Sequence, residues 1–285
     1  MSDRKMEGRR PVLLSVDFAF QYVMRDAALA SSFIAAVLGI PAEELTDIRL
    51  LPRDLNKIRE EDKLGIVDIL AETGERKRFN IELQMRRFPD WPERSLFYLF
   101  KMYVDQIKKG RPYGEAGDCI GINILGFNVL KNWESFHACI QFMNSGNQEL
   151  YTHKAVLHIL ELKKLNYVTE QEHKTELYRW MRAFAAKSWS EYDKLSREDE
   201  TMAAVKQKLE EISQDEILRL QYFHRELAVM NREAELEAAR REGIEDGVEQ
   251  VARELLKNGM AIEQVCRYTK VPEKRLKELR LQLEK

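Results

Sequence analysis

Apolar and polar positions along this chain divide it into segments of differing period. From Val16 to Leu38, Phe18, Tyr22, Leu29, Phe33 and Val37 recur at three- and four-residue steps with one seven-residue gap. That spacing predicts a helix, and Gly39 with Pro41 ends the run. Ile48 to Ile58 has the composition of a first strand, broken by Pro52, and Arg59-Glu60-Glu61-Asp62 forms a polar connector. Lys63 to Arg86 predicts two strands folded back on each other, because Thr73-Gly74-Glu75 puts a Gly among polar neighbours between alternating apolar runs. On the first arm Ile66, Asp68 and Leu70 share a face, with Val67, Ile69 and Ala71 on the other. On the second, Asn80, Glu82 and Gln84 share a face, with Phe79, Ile81 and Leu83 behind them.

Asp90 to Gly110 carries helix signals at both ends: Asp90 as cap, Pro92 in the first turn, Lys108 and Lys109 at the negative end, and Gly110 beyond it. Its spacing predicts a buried stripe of Leu96, Leu99, Phe100, Tyr103 and Ile107 and a solvated, salt-linked face of Arg94, Tyr98, Lys101 and Asp105. Asp118 to Phe127 is a β-branched apolar run with the look of a fully buried strand, and Phe136–Phe142 and Ala155–Leu162 predict two more. From about Thr169 helix formers take over, with Trp180, Phe184 and Trp189 as packing anchors and neither Pro nor Gly between Glu170 and Leu220. A highly charged helix follows from Gln221 to Glu242, loosened at Gly243 and Gly247. Short helices are then expected at Val248–Lys257, Ala261–Tyr268 and Pro272–Leu283. These suit either a small helix-turn-helix or a docking and dimerisation tail. The division expected is 10–168, 169–242 and 243–285.

Composition narrows the function classes. Of the 285 residues 44% are hydrophobic and 33% charged, enough for a proper core, and the net charge of −2 gives no global pull toward nucleic acid. A nucleic-acid partner would therefore need a local basic groove. The N-terminal segment lacks the apolar core of a signal peptide and no apolar run reaches membrane-span length, so a cytoplasmic protein without a membrane partner is expected. Cys119, Cys139 and Cys266 are scattered, which argues against a disulfide framework or a zinc site. His137, His153, His158 and His173 stand at irregular spacings and are assigned to structural or surface positions.

The candidate chemistry lies in the hairpin. With a loop centred near Glu75, antiparallel pairing sets Asp68 opposite Glu82, and like charges so placed are destabilising unless a proton or a cation sits between them. A hard divalent ion held by oxygens answers that need. Half-exposed strands also carry acids on a solvent face, which is the other reading of the same pattern. Asp17, at the start of its helix, suits the helix dipole.

Asp68 followed by Glu82-x-Gln84 on the next strand resembles the core of the PD-(D/E)XK nuclease superfamily, and more closely its transposase-like branch, the recombination-promoting nuclease (Rpn) family. Asp17-x-x-Phe20, the Arg94, Tyr98, Tyr103, Gln106 progression and the buried strand after it follow in the family's order. The resemblance implies an α/β, restriction-endonuclease-like αβββαβ core with a mixed sheet flanked by helices, followed by a helical C-terminal region. It implies a metal-dependent DNA endonuclease associated with recombination or mobile elements. Asp68 and Glu82, with the Leu83 backbone carbonyl, would hold Mg²⁺ (or Mn²⁺), and Asp17 would lie near the active site. Gln84 stands where the superfamily usually has Lys, and Gln21 where the family usually has Lys. Arg94 and Tyr98 would contact DNA; Arg86, on the same face one repeat beyond Gln84, reads either as the cation that Gln84 lacks or as a solvated strand end. The charged C-terminal helices suit a homodimer. The rival expectations are a catalytically weak DNA-binding module and a helical interaction protein.

Overall fold

The computed structural model describes residues 10–45, 47–52, 54–55 and 65–283, with backbone alone at 54, 55, 65 and 66. The expected connector at 59–62 and the first residues of the expected hairpin arm, Lys63 and Leu64, lie outside the described residues.

The N-terminal helical run divides in two at its seven-residue gap: α1 covers Asp17–Met24 and α2 covers Ala27–Leu38. The division has a local cause. Asp26 is extended, and its side chain accepts from the Ala28 and Leu29 N–H groups, so it starts a new helix instead of continuing the old one. Gly39, at φ 69°, closes α2 in the left-handed region as expected.

Strands β1 (Arg49–Leu51), β4 (Ile69–Glu72), β5 (Arg78–Gln84), β6 (Cys119–Leu125), β7 (His137–Met143) and β8 (Leu150–Glu161) form a mixed sheet of order β1-β4-β5-β6-β8-β7. The β5–β6 and β6–β8 pairs are parallel and the others antiparallel. The expected strand over 48–58 is therefore short. After Pro52 the backbone leaves the sheet, and β2 (Asp54–Leu55) pairs with β3 (Gly65–Ile66) in a separate ribbon. Ile69↔Ile81 through Glu72↔Arg78 pair as the loop position required. The first arm is not continuous, however. It bends at Asp68, between β3 and β4, and the bend moves Val67 out of the expected group. Ile69 and Ala71 face one cluster while Val67 joins Leu70 in the other.

Each sheet face buries a different set of helices. One carries Ile81, Ile122 and Leu160 against Phe20 and Phe33 of α1 and α2. Trp180 and Phe184 of α4 (Glu176–Ala185), Tyr192 of α5 (Trp189–Ser196) and Leu209 of α6 (Glu200–Gln214) complete that cluster. The other carries Leu70, Cys119 and Leu157 against Tyr98, Leu99 and Met102 of α3 (Trp91–Val104). All seven β6 residues are buried, as a strand covered on both faces requires.

Two compact units make up the chain, divided between Arg225 and Glu226. Helix α7 runs Glu216–Lys257, so Gly243 and Gly247 are carried inside it and the expected separate helix at Val248–Lys257 is its final part. Two glycines cost a helix about 1 kcal/mol each relative to Ala, a penalty the neighbouring strong helix formers offset. In the second unit Ala252 and Leu256 close a small core with Val265 of α8 (Ile262–Thr269) and Leu276 and Leu279 of α9 (Glu273–Leu283). Among the described residues no helix is long and apolar enough to cross a membrane.

Two histidines scattered in sequence meet across β7 and β8: His137 Nε2 and His158 Nδ1 lie 2.8 Å apart, with the rings stacked. Burial, and secondarily the neighbouring His137, pushes the His158 pKa down from 6.5 to about 4. Between those values the unfolded chain binds a proton that the folded one refuses. The stability from neutral His158 is therefore complete above pH 6.5 and is lost as pH falls toward 4. Thermal unfolding should reveal a loss of about 3 kcal/mol over that window. His158→Phe should flatten that part of the profile, and an unchanged slope would remove His158 as its source.

Candidate active site

The hairpin pairing brings Asp68 and Glu82 together. The ladder that ends at Ile69↔Ile81 reaches its next rung at these two residues. Here side chains replace strand hydrogen bonds: the Asp68 N–H donates to Glu82 Oε1 over 3.1 Å, and the Leu83 N–H donates to Asp68 Oδ2 over 2.9 Å. Each acid thus accepts a backbone hydrogen bond from the opposite strand. That reciprocity lets two carboxylates stay side by side near a core, since an acceptor bond from N–H favours the ionised form. Glu82 is only 3% exposed, and Asp68 is half-buried at the bend.

Helix α3 covers this point, rotated from the orientation its apolar spacing predicts: Leu99 is buried and Tyr103 partly buried as expected, but not every member of the stripe is. Tyr98 and Lys101 are buried beside Leu99 and Met102, whereas Leu96 and Phe100 are exposed. Lys101 and Asp105 form a buried ion pair at 3.3 Å. The expected solvated face is thus packed on the sheet, because its charges pair with each other and Tyr98 pairs with Arg94. Asp90 stands at the N-cap position but makes no side-chain cap bond, and the helix stops six residues before Gly110. Gln106 lies past its end and ties the following loop to it, accepting from the Gly117 N–H at 2.9 Å.

Arg94 is held by aromatic rings. Its guanidinium carbon lies 5.4 Å from the Phe88 ring centroid, 5.5 Å from Trp91 and 5.3 Å from Tyr98, and its Nε donates to the Tyr98 hydroxyl over 3.1 Å. The Tyr98 pKa is raised, first by burial and then by the charges of Glu82 and Asp68, against an opposing pull from Arg94. Tyr98 therefore joins the acid pair and Arg94 in one electrostatic neighbourhood, and its phenol stays protonated as a donor. Phe88 and Trp91 complete this group without having been among the candidates above. Their signal was spacing: Phe88, Trp91, Arg94 and Tyr98 follow at steps of three, three and four around Pro92.

The remaining sequence candidates have other partners. Gln84 Nε2 donates to the Arg86 backbone oxygen over 2.9 Å, and Arg86 is half-buried just beyond β5. Asp17 occupies the first turn of α1, where the dipole favours it, and its carboxylate accepts from Gln21 Nε2. The polar residue at position 21 thus serves the neighbouring acid within the helix.

Behind the site, a buried clamp fixes the loop that follows β6. Glu161, 1% exposed, accepts from the Val129 and Leu130 N–H groups and pairs with Lys164, whose Nζ donates to the Leu130 carbonyl over 2.9 Å. Phe127 of that loop meets the Trp91 ring edge-on at 6.5 Å, which connects the clamp to the wall around Arg94. Gly126 is required by close approach: a Cβ there would stand 2.4 Å from the Met85 carbonyl oxygen at the end of β5.

Among the described residues no group of three or more His, Cys, Asp and Glu side chains is gathered to hold a metal ion. The acid pair supplies two carboxylates, a hard-oxygen set that suits Mg²⁺ or Mn²⁺ when backbone carbonyl, water or phosphate oxygens complete the shell. The sequence model of the PD-(D/E)XK nuclease family transposases matches residues 14–239. No curated protein and no solved structure matches the chain.

Proposed function

Because this chain belongs to the PD-(D/E)XK nuclease family transposases, we propose that it is a Mg²⁺-dependent DNA endonuclease with Asp68 and Glu82 as its metal-holding acids. The observation that carries this reading is the reciprocal locking of those two carboxylates through the Asp68 and Leu83 N–H groups, beside a protonated Tyr98 and a ring-held Arg94. Two acids fixed at one rung ask for a cation, and the Arg94 guanidinium, one turn before Tyr98 on α3, asks for an anion.

The reaction is hydrolysis of a phosphodiester: a water oxygen attacks phosphorus and the bond to the leaving sugar oxygen breaks. Asp68 and Glu82 would hold the ion through carboxylate oxygens, with the Leu83 carbonyl as a further ligand. When bound, a divalent ion there acidifies water and offsets charge on the phosphate. Gln84, its amide nitrogen turned to Arg86, presents its carbonyl oxygen to a hydrogen of the attacking water. Arg94 grips a phosphate oxygen, its plane set in advance by three rings, and the Tyr98 hydroxyl donates to the same group. Arg86 adds positive charge where Gln84 has none. Asp17 plays a supporting part. The family's description as transposases supports a role in DNA recombination or the movement of mobile elements.

A supercoiled plasmid incubated with Mg²⁺, Mn²⁺ or EDTA tests this. Nicked or linear product in either metal and intact plasmid in EDTA is the expected result. Salt-sensitive DNA binding with no cutting in any metal would instead make the chain a binding module on a nuclease fold.

A further inference from the structure

Helix α7 carries a self-complementary seam. Within the second unit, its residues from Leu227 to Val251 include positions that advance in strict alternation of three and four. Leu227, Met230 and Ala234 form the first half, Ile244, Val248 and Val251 the second, and Glu237 and Arg241 stand between. A seven-residue apolar repeat is the pattern of two helices wound about each other. Val248 is half-buried, but most of the seam is bare, with Leu227 55% exposed, Met230 52%, Ile244 57% and Val251 55%. The tail helices α8 and α9 take a neighbouring stripe of α7, through Ala252 and Leu256, and leave these residues uncovered.

We propose that this seam is occupied by α7 of a second copy, running antiparallel with its two-fold axis at Ala239. The charged centre chooses both occupant and direction. In a parallel, in-register pair Glu237 would face Glu237 and Arg241 would face Arg241, two like-charge layers at the core. Antiparallel pairing about Ala239 sets Glu237 against the partner's Arg241 twice, so each acid meets a base. The same symmetry matches every apolar position: Ala234 with Ile244, Met230 with Val248, and Leu227 with Val251. Small meets large around the centre, and the paired segment is about 36 Å long at 1.5 Å per residue. Within the chain Glu237 and Arg241 form no ion pair with any described residue, though four apart on one helix, so the charges are available to a partner. This is an isologous interface, the commonest kind in homo-oligomers. It stands on the seam alone and holds whether or not the chain cuts DNA.

Sedimentation of the full-length protein should give twice the chain mass. Glu237→Arg and Arg241→Glu should each weaken self-association by roughly a hundredfold, by placing like charges at both central layers, and the double exchange should restore the dimer. Orientation is read by cysteine pairs under mild oxidation, against the unaltered chain as background. Ala234→Cys protein mixed with Ile244→Cys protein should cross-link, and Ala234→Cys alone should not. A monomer at the highest soluble concentration, a double exchange no better than either single one, or efficient self-linking of Ala234→Cys would each overturn the proposal. The circular dichroism of every variant should stay helical, because the altered side chains lie on an exposed face.

Discussion

Glu82→Gln and Asp68→Asn should each reduce metal-dependent DNA cutting by about 10³-fold or more, while thermal unfolding stays close to that of the unaltered protein. The rate effect follows from removing one of two charges that hold the ion, whose stabilisation of the reaction amounts to several kcal/mol. The small effect on folding follows from the hydrogen bonds. Gln at 82 keeps an oxygen for the Asp68 N–H, and Asn at 68 keeps one for the Leu83 N–H. Alanine would confuse the two effects, since it leaves a buried N–H unpaired at a cost of about 1–3 kcal/mol. A second measurement separates binding from catalysis. Mg²⁺ should raise the unfolding temperature of the unaltered protein and should do so much less in either variant. Glu82→Gln protein that cuts plasmid as fast as the unaltered chain would displace the acid pair from the mechanism. Asp17→Ala should bring a smaller loss, in keeping with a carboxylate held by Gln21 in the first turn of its own helix.

The next largest effect belongs to the clamp behind the site. Lys164→Met should destabilise the protein by about 3–5 kcal/mol, because it leaves a buried Glu161 without its counter-ion. For a unit of this size that is a fall in melting temperature of roughly 10 °C, readable by calorimetry. Cutting should fall as well, through a definite route. Glu161 holds the Val129 and Leu130 N–H groups, their loop carries Phe127, and Phe127 braces Trp91 beside Arg94. Pairing Lys164→Met with Glu161→Leu should recover part of the lost stability, since an apolar pair carries no stranded charge. Melting of Lys164→Met within a degree or so of the unaltered protein would mean that the pair is worth little.

How much of this was legible beforehand depended on range. The loop around Glu75 and the alternation of Phe79, Ile81 and Leu83 are local features. They carried the hairpin register, and with it the meeting of Asp68 and Glu82. The bend at Asp68 was not legible, because alternation assumes an unbroken strand. Val67 therefore faced the other way. The break between α1 and α2 had a visible sign in the gap after Tyr22, but Asp26 was not recognised as its cap.

Helix α3 marks the boundary most clearly. Its existence, its start near Pro92 and its place between the acid-bearing strand and the buried strand follow from the sequence alone, as do the hairpin and the all-apolar β6. Its orientation does not. Spacing places Leu96 and Phe100 inside and Tyr98 and Lys101 outside, and packing reverses both. The reason is energetic. A periodic pattern scores each side chain as if its alternative were water, whereas a buried polar group is scored by its partners. Asp105 for Lys101, Arg94 for Tyr98 and Lys164 for Glu161 lie at helical steps of three or four. They become partners only once the sheet excludes water from the space between, and that exclusion is a property of the fold.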